Sequence, residues 1–291
     1  MPLTIDSPHD GPCPICSVPG HPLERVPPAT YFACPVCETH YQHPMPTIDQ
    51  MHAYVQGEYS RGVYSDYVSA ARLKELTFSQ RARAVVARAG TGLLLDVGAS
   101  CGFFIEQALA VGFDAYGVEL SSQAVANAPA EIGRRITVGD VNVLSVDKEK
   151  FDVITAFDII EHVFDPVLFL TSLREVARPG TWIVITTPDA GHFLRFVLRA
   201  HWPMYQPMQH TVLFSKRGLL LALVRAGYES IEIGPAHKTL TADYLAGQVE
   251  MYLPMAVKAY RLASRFVPNA MRSAPVSVNI GELMAFARVP D

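Results

Sequence analysis

Leu93-Leu94-Leu95-Asp96-Val97-Gly98-Ala99-Ser100-Cys101-Gly102-Phe103-Phe104 decides how this chain is read. An apolar run of strand length ends in a tight turn of small residues, and an amphipathic helix leaves it. Gly98, Ala99 and Ser100 let backbone come close to a bound molecule. In open sheets built from alternating strands and helices, the crevice outside the carboxyl end of such a strand receives nucleotide-like molecules.

Two acids follow at telling distances. Ala115-Tyr116-Gly117-Val118-Glu119 reads as a second strand whose final carboxylate, 21 residues beyond Gly98, suits ribose hydroxyls. Ile136-Thr137-Val138-Gly139-Asp140 reads as a third, with Asp140 placed to accept from an adenine amino group. A dinucleotide does not fit. Its pyrophosphate fingerprint is G-x-G-x-x-G, whereas this turn runs Asp96-x-Gly98-x-Ser100-x-Gly102.

That turn resembles the first motif of class I S-adenosylmethionine (SAM) methyltransferases of the small-molecule type, commonly D-x-G-x-G-x-G, with Ser100 at the middle glycine. The resemblance covers roughly residues 80–290. It implies a Rossmann-like, seven-stranded, doubly wound α/β sheet. SAM would be held by Asp96, Gly98, Ala99, Ser100, Gly102, Glu119, Leu120, Asp140 and Val141. Phe151 to Val163 follows the pattern F-D-x-x-x-x-x-D-x-x-E-H-V, similar to the fourth-strand motif of these enzymes, which puts Phe157 and Asp158 beside the sulfonium. The implied reaction is methyl transfer to a small-molecule acceptor, most readily an oxygen, with natural-product metabolism as one setting. A hydroxyl acceptor needs its proton removed, and histidine is the usual base near neutrality. The candidates are His210, His192 and His162; the resemblance favours His210, because a His before an aromatic-Ser strand-to-helix junction recurs in this methyltransferase class, while His162 is expected to shape the SAM pocket.

The first 37 residues hold four of the five cysteines, Cys13-Pro-Ile-Cys16 and Cys34-Pro-Val-Cys37, spaced C-x2-C-x17-C-x2-C. Two such pairs present four thiolates to one tetrahedral zinc, and a closed set of four makes the metal structural. His21, His40 and His43 are expected at the surface. Cys101 is expected as a small buried packing residue. A zinc ribbon can also serve RNA methyltransferases, but residues 1–60 hold one basic residue, Arg25, against Asp6, Asp10, Glu24, Glu38, Asp49 and Glu58. Phosphate neutralisation dominates nucleic-acid affinity. The ribbon therefore reads as a structural cap or a homodimer contact. A catalytically silent SAM-fold scaffold is the remaining alternative, against which Glu119 and Asp140 both argue.

Composition sets the outer bounds. The 291 residues are 49% hydrophobic and 18% charged, with a net charge of −4, ordinary for a soluble enzyme and without a field that gathers nucleic acid. The Pro- and Asp-bearing start and the absence of a long apolar run predict a cytoplasmic chain with no membrane span. Three regions are expected: a ribbon over 1–46, a helical collar over 47–90, and a SAM domain over 91–291 with a helical insertion at 235–275. The collar clusters Tyr41, Tyr54, Tyr59, Tyr64 and Tyr67 and ends in a helix from Ser79 to Ala89, stopped by Gly90. Asp165-Pro166 caps and opens a helix whose Leu168, Leu170, Leu173, Val176 and Ala177 face the sheet, and Pro179-Gly180 ends it. Further strands are expected at Thr181–Thr187, Tyr228–Ile233 and Leu283–Arg288, and a helix capped by Ser215. The stretch 188–214 reads as a long functional loop. The insertion has helical spacing at Leu240, Tyr244, Val249, Tyr252, Leu253, Met255 and Ala256, and its default role is packing on its own domain.

Overall fold

The computed structural model describes residues 11–47, 50, 71–141, 151–250 and 254–291. Tyr54, Tyr59, Tyr64, Tyr67, Tyr252 and Leu253, the side chains of Val249 and Ala256, and the acids Asp6, Asp10, Asp49 and Glu58 lie outside them.

Three short strands open the chain: β1 (His21–Val26), β2 (Ala29–Ala33) and β3 (His40–His43). Helix α1 (Ala71–Ala89) leads to β4 (Leu93–Val97), α2 (Phe103–Ala110) and β5 (Asp114–Glu119). The short helices α3 (Ser122–Ala126) and α4 (Ala130–Gly133) precede β6 (Ile136–Val138). Then come β7 (Phe151–Phe157), α5 (Pro166–Glu175), β8 (Ala177–Pro188), α6 (Phe193–Leu198), β9 (Val212–Leu213), α7 (Lys216–Arg225) and β10 (Glu229–Leu240). The insertion supplies α8 (Ala242–Val249), α9 (Pro254–Ala263) and α10 (Asn269–Arg272) before β11 (Val276–Arg288).

Seven strands form the main sheet in the order β10-β11-β8-β7-β4-β5-β6. The central pairs are parallel, and β11 runs antiparallel to both β8 and β10. Side chains alternate across a strand, so β4 feeds both faces. Leu95 joins Ile154, Ile183, Leu170, Leu173, Leu219 and Leu223 on the α5–α7 face. Leu94 joins Val153, Val184, Ala82, Val85, Phe104 and Ile105 on the α1–α2 face. Burial on two sides explains the nearly continuous apolar run that opens β4.

The four-cysteine region does not stand apart. β3 pairs with β9, so β1-β2-β3-β9 is one antiparallel sheet that joins the first 43 residues to a strand some 170 residues later. Cys13, Ile15, Phe32 and Tyr41 share a hydrophobic cluster with Leu219, Ala222 and Leu223 of α7. Gly218 marks the closeness: a Cβ there would collide with Thr39 Oγ1.

Several elements differ from expectation. α1 begins eight residues before Ser79, because its first turns pack on β10, where Thr239 N donates to Thr77 Oγ1 at 2.9 Å. α5 ends at Glu175, and Pro179-Gly180 lies inside β8 beside a register shift, with Gly180 at φ +79°. Leu168 points to solvent, while Leu170 and Leu173 are buried. β10 and β11 run longer than their apolar cores, paired with each other as an antiparallel ribbon. The stretch 188–214 carries α6 and β9. In the insertion Val257 is buried, but Met255, Leu262 and Phe266 are exposed. His40 is buried, its Nδ1 3.0 Å from Tyr205 Oη, because β9 covers β3.

Candidate active site

At the carboxyl edge of the sheet β4 runs into the turn 98–102. Gly98 has φ +78°, and a Cβ there would drive into Ile159. Ser100 occupies the left-handed region at φ +51° without being glycine, a conformation that costs on the order of 1 kcal/mol. Its N–H donates to Glu119 Oε2 at 2.8 Å, and Ser121 N donates to Oε1 at 2.8 Å, so one carboxylate holds the turn and the end of β5. Asp96 is buried and accepts from Thr155 Oγ1 at 2.7 Å. Burial raises its carboxyl to about 7 against that hydrogen bond. Asp140 follows β6, across from β5, where Gly139 N donates to the Glu119 carbonyl at 2.8 Å.

A cleft of about 550 Å³ runs from this turn across the sheet. Asp96, Gly98, Ala99, Ser100, Glu119, Phe157 and Asp158 line one part; His162, Gln209 and His210 line another. Gly102, Leu120, Asp140 and Val141 are not among the lining residues: Gly102 caps α2, Leu120 is exposed and Val141 is buried. His192 lies elsewhere, where it caps α6 by accepting from Leu194 N.

His162 and His210 have ring centroids 5.0 Å apart. Each Nδ1 faces a backbone carbonyl, that of Gln209 at 2.9 Å and that of Met204 at 2.8 Å. A carbonyl only accepts, so Nδ1 carries the proton and Nε2 keeps the lone pair in both neutral rings. Donor atoms of Glu161, His162 and His210 converge within 4.8 Å of one another. Burial moves His210 down to about 3 and lowers His162 as well, and it pushes the Glu161 carboxyl well up. His40 is likewise taken to about 3 by burial. The ring carbon resonances of His40 and His210 should therefore stay at their neutral positions from pH 8 to 5, while an ordinary histidine titrates near 6.5. A midpoint near 6.5 for either ring would contradict its burial.

Three charges that the motif reading did not single out, Arg81, Lys238 and Glu282, surround Asp158 at the cleft floor. Arg81 of α1 is buried, 3.0 Å from Glu282 and 3.4 Å from Asp158, with its guanidinium 5.0 Å from the Phe157 ring centroid. Lys238 of β10 pairs with Glu282 and lies 3.8 Å from Asp158. Burial alone would raise Asp158, but Lys238 and Arg81 overcome it and hold that carboxyl well below the usual range. Asp158 sits at φ +58° just past β7 and accepts from Thr186 Oγ1 at 2.9 Å. Sequence signals existed for two of these groups: Arg81 adjoins Ala82 on the apolar stripe of its helix, and Glu282 interrupts an apolar strand.

The four cysteines converge without forming disulfides. Their Sγ atoms lie 3.5 Å (Cys13–Cys37), 3.2 Å (Cys16–Cys34) and 3.8 Å (Cys16–Cys37) apart. A tetrahedral zinc with bonds near 2.3 Å would space its sulfurs by about 3.8 Å, so the donor set fits one ion. Backbone N–H groups of Ile15 and Val36 point at Cys13 and Cys34 Sγ at 3.4 Å, as stabilised thiolates require.

The profile of a methyltransferase-domain family matches residues 70–233. The ubiquinone biosynthesis O-methyltransferase of Cereibacter sphaeroides is 31% identical over 121 residues, covering 38% of this chain and 48% of that protein. The enzyme of that name from Thiobacillus denitrificans is 27% identical over 164 residues, covering 52% and 71%. The chain spans about half the length of the first curated relatives it matches. A SAM-dependent methyltransferase from Archaeoglobus fulgidus superimposes with a TM-score of 0.50 at 15% identity, covering 76% of this chain and 98% of that one. Another, from Thermotoga maritima and described as a possible histamine N-methyltransferase, gives 0.51 at 18%, covering 79% and 97%. At those identities the two structures speak for the fold alone.

Proposed function

The chain belongs to the methyltransferase-domain family, and from that premise we propose that it transfers a methyl group from SAM to the hydroxyl of a small molecule. The observation that carries this reading is the single cleft that joins the 98–102 turn and Glu119 to the paired imidazoles of His162 and His210. SAM supplies an activated methyl on a sulfonium. Glu119 is the ribose group: its two oxygens accept two backbone N–H bonds, and a carboxylate has about four acceptor sites, which leaves capacity for two hydroxyls. Asp140 is assigned to the adenine amino group. Phe78, Phe104 and Phe157, with ring centroids 4.7 to 6.3 Å apart, make an apolar wall that excludes water from the reacting centre.

His210 is the base, with its lone pair on Nε2. Its weak basicity favours an acidic hydroxyl, a phenol at about 10, over an aliphatic alcohol. Relatives named as ubiquinone biosynthesis O-methyltransferases agree with an oxygen acceptor. The four cysteines are proposed to hold one structural zinc, and their unpaired thiols suit a cytoplasmic location. Among the described residues no helix is long and apolar enough to cross a membrane.

The test is formation of S-adenosylhomocysteine with a panel of phenols and catechols, run beside aliphatic alcohols, amines and RNA. Turnover with phenols is expected. Turnover with amines or RNA alone would overturn the acceptor class. For the binding half, Glu119→Ala should weaken SAM binding roughly 10- to 100-fold, the worth of one or two charge-assisted hydrogen bonds. Calorimetry that finds the affinity unchanged removes Glu119 from the site.

A further inference from the structure

The loop that carries His210 touches the cysteine-rich sheet more closely than a cap would require. β3 pairs with β9 through His40↔Leu213 and Tyr41↔Val212, immediately after His210 and Thr211. Gln42 N donates to the Thr211 carbonyl at 2.9 Å. The side chain of Gln42 accepts from Met208 N at 2.9 Å through Oε1. Met208 stands at φ +75°, a left-handed conformation that a methionine adopts only when its surroundings impose it. Tyr31, fully buried, donates from Oη to the carbonyl of His210 itself at 2.9 Å. On the other side the loop meets the main domain, where Thr211 N donates to the Glu161 carbonyl at 2.9 Å and Thr211 Oγ1 to that of Val163 at 3.1 Å.

We propose that the four-cysteine ribbon is a positioning element of the active site: Tyr31 and Gln42 set the path of residues 208–211 and thereby hold the His210 imidazole in the cleft. This rests on the reading of His210 as base. The physical case is that a loop with a left-handed non-glycine residue relaxes once its outside hydrogen bonds are removed. A base displaced by about 1 Å can cost 100-fold in rate. Neither residue lines the cleft, and their bonds go to residues 208–211 rather than to the 98–102 turn or Glu119, so their effect should fall on turnover and spare cosubstrate affinity. The metal proposed for the ribbon would then govern the rate without touching the reacting atoms.

The experiment is a double-mutant cycle in the full-length chain, with turnover and SAM affinity measured for each variant. Tyr31→Phe removes one hydroxyl and keeps the ring; Gln42→Leu keeps the volume and removes the acceptor for Met208 N. Each should lower kcat roughly 10- to 100-fold and leave the SAM Kd within about twofold. Neither should have a further effect in a His210→Ala background. Hydrogen exchange at the Met208 amide should accelerate in Gln42→Leu. Equal kcat losses with and without His210 would reduce the ribbon to a general stabiliser and overturn the proposal. If His210→Ala slows turnover while both ribbon variants keep the full rate, positioning fails and the base assignment stands. Full turnover in His210→Ala alone would strike down the base assignment and the positioning role together.

Discussion

If the four cysteines hold the zinc proposed for them, Cys34→Ser should release it and cost the fold several kcal/mol, lowering Tm on the order of 10 °C. Three of the four thiols are almost wholly buried, and all four donors fall within 4.8 Å of one another. Structural zinc contributes roughly 10–16 kcal/mol to the folding of small domains, and a three-ligand site keeps only part of that. Without the metal four thiols would crowd a buried pocket with nothing to bind. The damage should also travel. Ser215 Oγ donates to the Cys37 carbonyl at 2.6 Å while it accepts from Gly218 N at 2.9 Å as the cap of α7. Arg225, at the far end of that helix, donates to the Ile15 carbonyl. Hydrogen exchange should therefore loosen over β9 and α7 as well as over the ribbon, with β4 and β5 unaffected. Metal analysis of the parent protein that finds no zinc, or a variant that melts at the parent temperature, would refute the assignment.

The sequence made the centre of the molecule legible and left its periphery obscure, for a physical reason. β4 is buried on both faces, so its apolar run stands out, and the turn after it needs small residues. Cysteine spacing is equally plain, because metal geometry tolerates few alternatives. Contacts between distant segments leave no local pattern. Nothing in His40-Tyr41-Gln42-His43 reveals that β9 pairs with it some 170 residues later. His40 accordingly reads as a surface residue and is in fact buried. The same limit hid Lys238, whose partners Asp158 and Glu282 come from the turn after β7 and from β11. Among the three histidines, His192 could not be told from His162 and His210 by sequence, because a helix cap and a cleft residue differ in tertiary placement alone.

His210→Ala should reduce kcat by roughly 100- to 10,000-fold, the usual worth of a positioned base and about 3 to 5 kcal/mol of barrier, with SAM affinity near normal. His210 is held at three points: the Met204 carbonyl fixes the ring's tautomer at 2.8 Å, Tyr31 Oη donates to the residue's backbone carbonyl at 2.9 Å, and the His162 ring stands 5.0 Å away. His162 faces the same cleft with the same tautomer, so a rival assignment would give it the base role. Two differences favour His210. It is buried to 8% exposure while His162 is half-buried, and it sits on the loop 188–214, whereas His162 follows directly from the strand end that precedes Asp158. The pair of alanine variants separates them. A large fall in kcat for His210→Ala, beside a smaller fall with weakened SAM binding for His162→Ala, matches the assignment; the reverse pattern exchanges the two roles. Because burial lowers the proton affinity of His210, the parent rate should depend on the acidity of the acceptor. Phenols made more acidic by electron-withdrawing groups should react no more slowly than unsubstituted ones, and the His210→Ala variant should suffer least with the most acidic of them, since a hydroxyl already ionised needs no base.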